Sequence, residues 1–222
     1  EMHSCLVGSE MCIRDRSNSM DYQTLITYGS FYSLDLTMDA PSFVAWTEEN
    51  FEYVQYNPRK SINRYGLSVT SLDGGVSGIP DLDRQGEYNK ENNTQYTERD
   101  FATPTPVIEG CKDILEPWIK HIHRTHILKL GTGGFFPPHR DHCLIQNSFR
   151  LIVPLQNCNP PYFNFMLDNK LLHWEHGRMY FMDTVKMHYL FNSSFNPSYM
   201  LVANVDTNEE SVKAVLNHLN QR

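Results

Sequence analysis

The stretch that decides the fold runs from His126 to Leu155 and reads HILKLGTGGFFPPHRDHCLIQNSFRLIVPL. It begins and ends with apolar runs whose composition is typical of β-strands, and His139 and Asp141 lie between them. Side chains two positions apart on an extended strand point to the same face, so this imidazole and this carboxylate can enter one cavity while Arg140 faces away. The pair therefore predicts two ligands of a metal ion.

A third ligand must come from another strand, and His188 is the best candidate because it lies in the strand-like run Lys-Met-His-Tyr-Leu. Two histidines and one carboxylate on one side of an ion leave its other positions open, which suits non-haem Fe(II) and dioxygen. The chain has 10 histidines, so a His-x-Asp tripeptide alone has low specificity. The surrounding pattern has to support the assignment.

That pattern is a succession of short strands separated by short turns, which favours a mainly β sandwich or barrel with flanking helices. Strands are predicted at 126–130, 150–155, 162–167, 170–174, 178–182, 186–191 and 198–205. Upstream, the composition predicts one or two strands within 21–36, a helix that begins at Pro41 and ends before Pro58, and a strand at 65–70.

Two further helices are predicted to pack on the sheet. The apolar residues Ile108, Leu115 and Trp118 recur at helical spacing between Val107 and Lys120 and are expected in the core. A capping-box pattern at 207–210 predicts the start of a C-terminal helix with an apolar stripe of Val212, Val215, Leu216 and Leu219.

Between Leu72 and Pro106 the chain is polar and rich in Gly, Asp, Asn and Pro. A loop of this length is uncommon unless it has a function or is disordered. It is a candidate lid or substrate-recognition segment, and a plain surface connection is the alternative.

Three further histidines, His121, His123 and His126, could in principle bind zinc. They lack a suitably placed cysteine or acid nearby, and we expect them at the surface or at a helix end.

Composition excludes several classes of function. The 222 residues carry a net charge of −7 with scattered basic residues, which argues against nucleic acid as a partner, and no apolar run is long enough to span a bilayer. Without the first 17 residues, three cysteines remain (Cys111, Cys143 and Cys158), and they lack CxxC spacing. This favours a reducing compartment, and we expect a cytoplasmic protein.

The first 17 residues match nothing that follows in pattern and resemble translated sequencing adapter. We therefore expect a non-native or disordered tail over 1–19 and a natural start at Met20. The remaining 20–222 are expected to form one domain, with a core barrel over about 124–206.

From about Thr125 to Val205 the chain resembles the Fe(II)/2-oxoglutarate-dependent dioxygenases and is most similar to their aspartyl/asparaginyl β-hydroxylase-like branch. The resemblance rests on an ordered set of segments: LKLGTGGFFPPHRDH, NSFRLIVPLQN, HWEHGRMYFMD, the distal His188 and SYMLVANV. It implies a double-stranded β-helix, a jelly-roll or cupin-like barrel. It also implies that His139, Asp141 and His188 bind Fe(II), with 2-oxoglutarate and O2 at the remaining positions.

The far carboxylate of 2-oxoglutarate requires a buried cation. In the family this is often an Arg about ten residues after the distal His, but that position here is Ser198, and no Arg follows before Arg222. Arg150 is the first choice for the salt bridge and Lys129 the second, while Ser198 offers a hydroxyl contact.

The resemblance implies an oxygenase that couples oxidative decarboxylation of 2-oxoglutarate to hydroxylation of a C–H bond in an amino-acid side chain or a small metabolite, so the partner is a small-molecule or polypeptide substrate. Two alternatives remain open. One is a catalytically inactive β-helix interaction module, motivated by Ser198, and the other is a cupin-like metalloenzyme that does not use 2-oxoglutarate. The sequence does not determine the oligomeric state.

Overall fold

The computed structural model describes residues 21–56, 62–82, 85–141 and 147–221, so the expected tail and Cys143 lie outside the described residues. The described strands are β1 (Phe31–Thr37), β2 (Val54–Gln55), β3 (Arg64–Ser68), β4 (Thr70–Ser71), β5 (Thr103–Pro104), β6 (Ile122–Leu130), β7 (Phe135–His139), β8 (Ser148–Gln156), β9 (Phe163–Leu167), β10 (Lys170–Leu171), β11 (Arg178–Met182), β12 (His188–Asn192) and β13 (Ser198–Asp206). The helices are α1 (Ala40–Asn50), α2 (Gln85–Asn92), α3 (Lys112–Leu115) and α4 (Glu209–Asn217).

The strands from β6 onward wind between two antiparallel sheets. The large sheet has the order β1-β11-β8-β13-β6-β3-β2, and the small sheet has the order β10-β9-β12-β7. The chain passes from β6 in the large sheet to β7 in the small sheet and back to β8. It then forms the β9–β10 hairpin in the small sheet before it continues through β11 in the large sheet, β12 in the small sheet and β13 in the large sheet. This winding is the double-stranded β-helix, a jelly-roll or cupin-like barrel, and it confirms the predicted fold class.

Two apolar clusters hold these layers together. One fills the space between the two sheets and includes Leu128, Ile152, Phe165, Leu190 and Met200. The other lies on the outer face of the large sheet, where the helices cover it. The large sheet is therefore buried on both faces, which explains why β8 and β13 read as nearly continuous apolar runs.

The predicted core positions of the flanking helices are confirmed, but the helices themselves differ from the prediction. Ile108, Leu115 and Trp118 are buried, although the segment breaks into 3-10 turns at Pro106–Gly110 and Glu116–Trp118 around α3. Prolines at the start of each 3-10 turn remove the backbone donors that a longer helix would need. In the C-terminal helix the capping box is Asn208 with Ser211, one residue later than predicted.

The prediction of one or two strands within 21–36 is correct for the second part of this segment and wrong for the first. Residues 21–26 are helical, and only Phe31–Thr37 forms a strand. Tyr22 and Leu25 are both buried, and their spacing of three places them on one helical face. Gly29, at a φ of 112°, then separates the helical residues from β1.

The polar segment from Leu72 to Pro106 has more structure than a plain loop. It contains α2, a 3-10 turn at Glu98–Asp100 and β5, which pairs with β4. No helix among the described residues is long and apolar enough to cross a membrane.

Candidate metal centre

The three predicted ligands lie together at one end of the barrel. His139 is the last residue of β7 and is directly paired with His188, the first residue of β12. Asp141 lies just beyond β7, where its backbone N–H donates to the carbonyl of Thr184 at 2.9 Å. One potential ligand atom from each of the three residues lies within 4.8 Å of the other two.

Hydrogen bonds to the backbone fix the orientation of both imidazoles. His139 Nδ1 lies 2.7 Å from the Pro137 carbonyl oxygen, and His188 Nδ1 lies 2.9 Å from that of Lys186. A carbonyl oxygen can only accept, so both Nδ1 atoms carry a proton, and Nε2 is the ring atom that each histidine can offer to a metal ion. Metal-binding histidines typically donate their other ring N–H to a backbone carbonyl in this way.

Asp141 is held by a half-buried arginine. Arg150 Nε donates to Asp141 Oδ2 at 2.7 Å, while Oδ1 faces the His139 ring at 4.0 Å from Nε2. Burial raises the pKa of Asp141, but the Arg150 guanidinium outweighs burial and holds that pKa below its usual value. Asp141 is therefore an anion with one oxygen engaged and the other turned towards the histidines.

The three ligands open into a cavity of about 400 Å³ between the two sheets. Its wall around the ligands is polar, and the wall further into the barrel is apolar. The apolar wall consists of Leu128, Phe136, Ile152, Phe165, Met182, Leu190, Met200 and Val202. A cavity with polar groups at one end and apolar walls is the usual form of a small-molecule site.

The three residues predicted to bind 2-oxoglutarate do not lie at one site. Arg150 lines the cavity, but Lys129 and Ser198 do not. Lys129 lies on the outer face of β6, where it pairs with Glu48 of α1 and contacts the rings of Tyr53 and Tyr199. The Ser198 hydroxyl donates to the Asn157 carbonyl at 2.5 Å.

Sequence reasoning missed the charged group at the cavity rim. Arg124 donates to Glu98 at 2.7 Å, to the Tyr56 hydroxyl at 3.0 Å and to the Asp81 carbonyl at 2.9 Å. Arg124 thus ties the polar segment Leu72–Pro106 to the barrel and brings Glu98 into the cavity wall. No local pattern marks this arrangement, because the partners lie far apart in the chain.

Arg124 itself occupies an unusual backbone conformation. Its φ is 40°, and it forms the bulge between the Val202 and Asn204 pairings of β13 with β6. Bulges reorient side chains near functional sites, and a positive φ at a residue other than Gly costs free energy that the surrounding contacts must offset. Three side-chain hydrogen bonds supply that compensation here.

His126 was expected at the surface or at a helix end, and this prediction was wrong. It is buried and lines the cavity from β6, on the same face as Leu128. Burial, and after it the Arg124 charge, lower the pKa of His126 to about 3, so its imidazole is neutral. The alternation of His126, Leu128 and Leu130 on one strand was the available signal for an inward position.

The sequence matches no protein-family model and no curated protein sequence. Solved structures that resemble this protein include an oxidoreductase of the 2OG-Fe(II) oxygenase family from Burkholderia pseudomallei, at 12% identity and a TM-score of 0.42, over 76% of this chain and 79% of that one.

Cupin-type structures also resemble it. KdgF from a Halomonas species is 8% identical with a TM-score of 0.35, over 72% of this chain and 90% of that one. A predicted oxalate decarboxylase from Thermotoga maritima is 15% identical with a TM-score of 0.31, over 41% of this chain and 73% of that one. Identities this low assign no activity to this chain. Its structural neighbours therefore include both a 2OG-Fe(II) oxygenase family protein and cupin proteins.

Proposed function

We propose that this chain is an Fe(II)- and 2-oxoglutarate-dependent oxygenase that hydroxylates a C–H bond of an amino-acid side chain or a small metabolite. The observation that carries the proposal is the ligand set His139, Asp141 and His188, in which one potential ligand atom from each residue lies within 4.8 Å of the other two. The proposal also draws on the family resemblance of the sequence.

The donor set fits a divalent iron ion. Two neutral imidazole nitrogens and one carboxylate oxygen are the facial ligands of non-haem Fe(II) oxygenases, and they leave positions open for other ligands. With 2-oxoglutarate and O2, such an ion supplies the oxidising chemistry that hydroxylates an unactivated C–H bond. The protein residues hold the ion, orient the ligands and exclude water.

Arg150 has two tasks in this proposal. Through Nε it orients Asp141 and keeps it ionised. Its two terminal nitrogens make no hydrogen bond within the described part of the chain, and Arg150 lines the cavity. They are therefore available to a carboxylate that binds beside the ion.

The polar segment Leu72–Pro106 acts as the lid in this proposal. It supplies Glu98 to the cavity wall and is tied to the barrel through Arg124. Burial raises the pKa of Glu98, but Arg150 and Arg124 outweigh burial and lower it, so the lid presents an anion to the substrate. The apolar wall behind it excludes water from the reacting position.

The test is reconstitution of the protein with Fe(II) under anaerobic conditions, followed by addition of 2-oxoglutarate and O2 and measurement of succinate. We expect succinate from the wild type and from His173→Ala, a control at an exposed histidine, and none from His188→Ala. Equal succinate from the wild type and His188→Ala would contradict the ligand assignment.

Calorimetry with N-oxalylglycine, a stable mimic of 2-oxoglutarate, separates the alternatives. The proposal predicts metal-dependent binding of the mimic to the wild type. Metal binding without affinity for the mimic would favour a cupin-like metalloenzyme. Absence of both would favour an interaction module.

A further inference from the structure

Arg64, in β3, is a buried cation without a carboxylate partner among the described residues. Only 3% of its surface is exposed, and its Nε is buried without a hydrogen-bond partner in the part of the chain that the structure describes. Within those same residues, the one hydrogen bond of the guanidinium is a long one of 3.4 Å from Nη1 to the Phe135 carbonyl. Burying a guanidinium without an anion is costly, so an unpaired one calls for a specific explanation.

The other cations of the barrel and its rim differ in this respect. Arg124 pairs with Glu98, Arg150 with Asp141, and Lys129 with Glu48. Within the described ranges, Arg64 is instead covered by two aromatic rings, with its Cζ 4.0 Å from the ring centroid of Phe136 and 5.1 Å from that of Tyr56. Contacts with rings compensate a buried charge less fully than a carboxylate does.

The register of the large sheet places Arg64 on the inner face. Arg64 pairs with Leu130, and two residues on, Gly66 pairs with Leu128, which lines the cavity. Residues paired across antiparallel strands point to the same side of the sheet. The Arg64 side chain therefore belongs to the barrel interior.

Aromatic rings connect Arg64 to the metal centre. Phe136 and Tyr56, which cover the guanidinium, both line the cavity. The Phe136 ring also lies 6.2 Å from the His139 ring. Phe136 pairs with Leu190 of β12, whereas His139 pairs with His188 at the start of that strand. Arg64 thus lies behind the cavity wall, displaced from the ion towards the apolar end.

We propose that Arg64 binds the distal carboxylate of the dicarboxylate co-substrate. This inference rests on the proposed function, in which the 2-oxo acid end of 2-oxoglutarate binds the ion. Arg150 is bonded to a metal ligand and is therefore held at the ion's end, whereas the distal carboxylate must lie away from it. Among the described residues, the apolar wall offers that carboxylate no other cation.

Binding requires Phe136 to turn aside from the guanidinium. Its ring is only partly buried, so this movement leaves the packed interior largely in place. The carboxylate would then satisfy the free Nε together with one terminal nitrogen, in the two-point geometry that arginine favours.

The experiment compares two ligands that differ only in the distal carboxylate, 2-oxoglutarate and 2-oxopentanoate. Each is titrated by calorimetry into Zn(II)-loaded wild type, Arg64→Met and Arg178→Met. Arg178 is the control because it pairs with Glu175 and does not line the cavity. The ratio of the two dissociation constants isolates the contribution of the carboxylate.

We expect the wild type and Arg178→Met to bind 2-oxoglutarate about 10- to 100-fold more tightly than 2-oxopentanoate, the net gain expected when the two-point contact of a carboxylate with arginine replaces its contacts with water. In Arg64→Met the two ligands should bind equally, with the affinity for 2-oxopentanoate unchanged. A preference that persists in Arg64→Met would overturn the role of Arg64 and leave the proposed function standing. A wild type that binds neither ligand would overturn both.

A measurement on the wild type covers the case in which Arg64→Met does not fold. The Nε–H resonance of Arg64 can be assigned by its loss in Arg64→Lys. It should shift when 2-oxoglutarate is added to the Zn(II)-loaded protein and stay in place with 2-oxopentanoate. A resonance that does not respond to 2-oxoglutarate would overturn the inference.

Discussion

At the scale of single residues, the ion pairs of Arg150 and Lys129 illustrate how burial decides the contribution of a charge. The side chains of Arg150 and Asp141, at the cavity wall, are 18% and 21% exposed, whereas those of Lys129 and Glu48, on the outer face of the large sheet, are 24% and 38% exposed. Removing one partner of a buried pair leaves an uncompensated charge. An exposed pair contributes little.

We therefore expect Arg150→Met to lower the free energy of unfolding of the metal-free protein by about 2–3 kcal/mol. Lys129→Met should lower it by less than about 1 kcal/mol. Urea unfolding of both variants and the wild type at pH 7 measures the difference. Equal losses in the two variants would contradict the burial difference.

His126 predicts how stability depends on pH. Its pKa in the folded protein is lowered to about 3, first by burial and then by Arg124. In an unfolded chain the pKa of His is about 6.5, so between pH 6.5 and 3 the unfolded chain binds a proton that the folded protein does not. The contribution of His126 to stability is thus full above pH 6.5 and falls as the pH drops.

The slope for one such group is about 1.4 kcal/mol per pH unit. His126→Gln should remove this part of the slope, so the wild type and the variant should converge in stability between pH 6.5 and 4.5. Denaturant unfolding at several pH values tests this. Because both proteins keep the other titrating groups, parallel curves would contradict the neutral state of His126.

At the scale of elements, the turn before β11 joins three parts of the fold. The Gly177 N–H donates to the Pro154 carbonyl of β8 at 2.7 Å. The Gly177 carbonyl accepts from the N–H of Met38, which lies just before α1, at 2.8 Å. Its φ is 85°, and an added Cβ would lie 2.5 Å from the Met38 carbonyl oxygen. Both the backbone conformation and the space therefore require glycine.

Gly133 provides a matched control, because its φ is 74° but an added Cβ would meet nothing within 4 Å. Gly133→Ala should cost about 1–2 kcal/mol from conformation alone. Gly177→Ala should cost about 2–4 kcal/mol, because the clash adds to the strain. Thermal and urea unfolding compare the two, and an equal cost would show that the turn can relax.

At the scale of the whole molecule, binding of an ion at the candidate metal centre is coupled to folding, because the three ligands come together only when β7 and β12 pair in the small sheet. An ion that binds only the folded protein stabilises it by about 2.7 kcal/mol at a concentration of 100 times Kd. For a chain of this size, that corresponds to about 5–10 °C in Tm. The stabilisation requires all three ligands, and these come from β7, the residues just after β7, and β12.

We expect Zn(II) to raise the Tm of the wild type and of the control His173→Ala by this amount. It should leave the Tm of His188→Ala nearly unchanged. Differential scanning fluorimetry over a series of Zn(II) concentrations measures the shift. A similar rise in all three proteins would show that Zn(II) binds somewhere other than the three ligands.

The sequence determined the part of this protein that depends on local pattern. The succession of short strands predicted a mainly β barrel, and the His-x-Asp motif together with the family resemblance singled out His139, Asp141 and His188. These residues lie on or next to strands whose apolar composition marks them as barrel walls, and the small sheet then pairs His139 directly with His188. The helical residues 21–26 were missed because a short apolar run fits a strand and a helix equally well.

Only the tertiary structure decided which cations face the interior. Lys129, Arg150 and Arg64 all lie on strands of the large sheet, and composition does not distinguish them. The three cations differ in the residues against which they pack. Glu48 of α1 holds Lys129 on the outer face, Asp141 holds Arg150 beside the metal ligands, and the Phe136 and Tyr56 rings cover Arg64. These contacts join residues of different elements, so their electrostatic and packing energies exist only after the sheets have assembled.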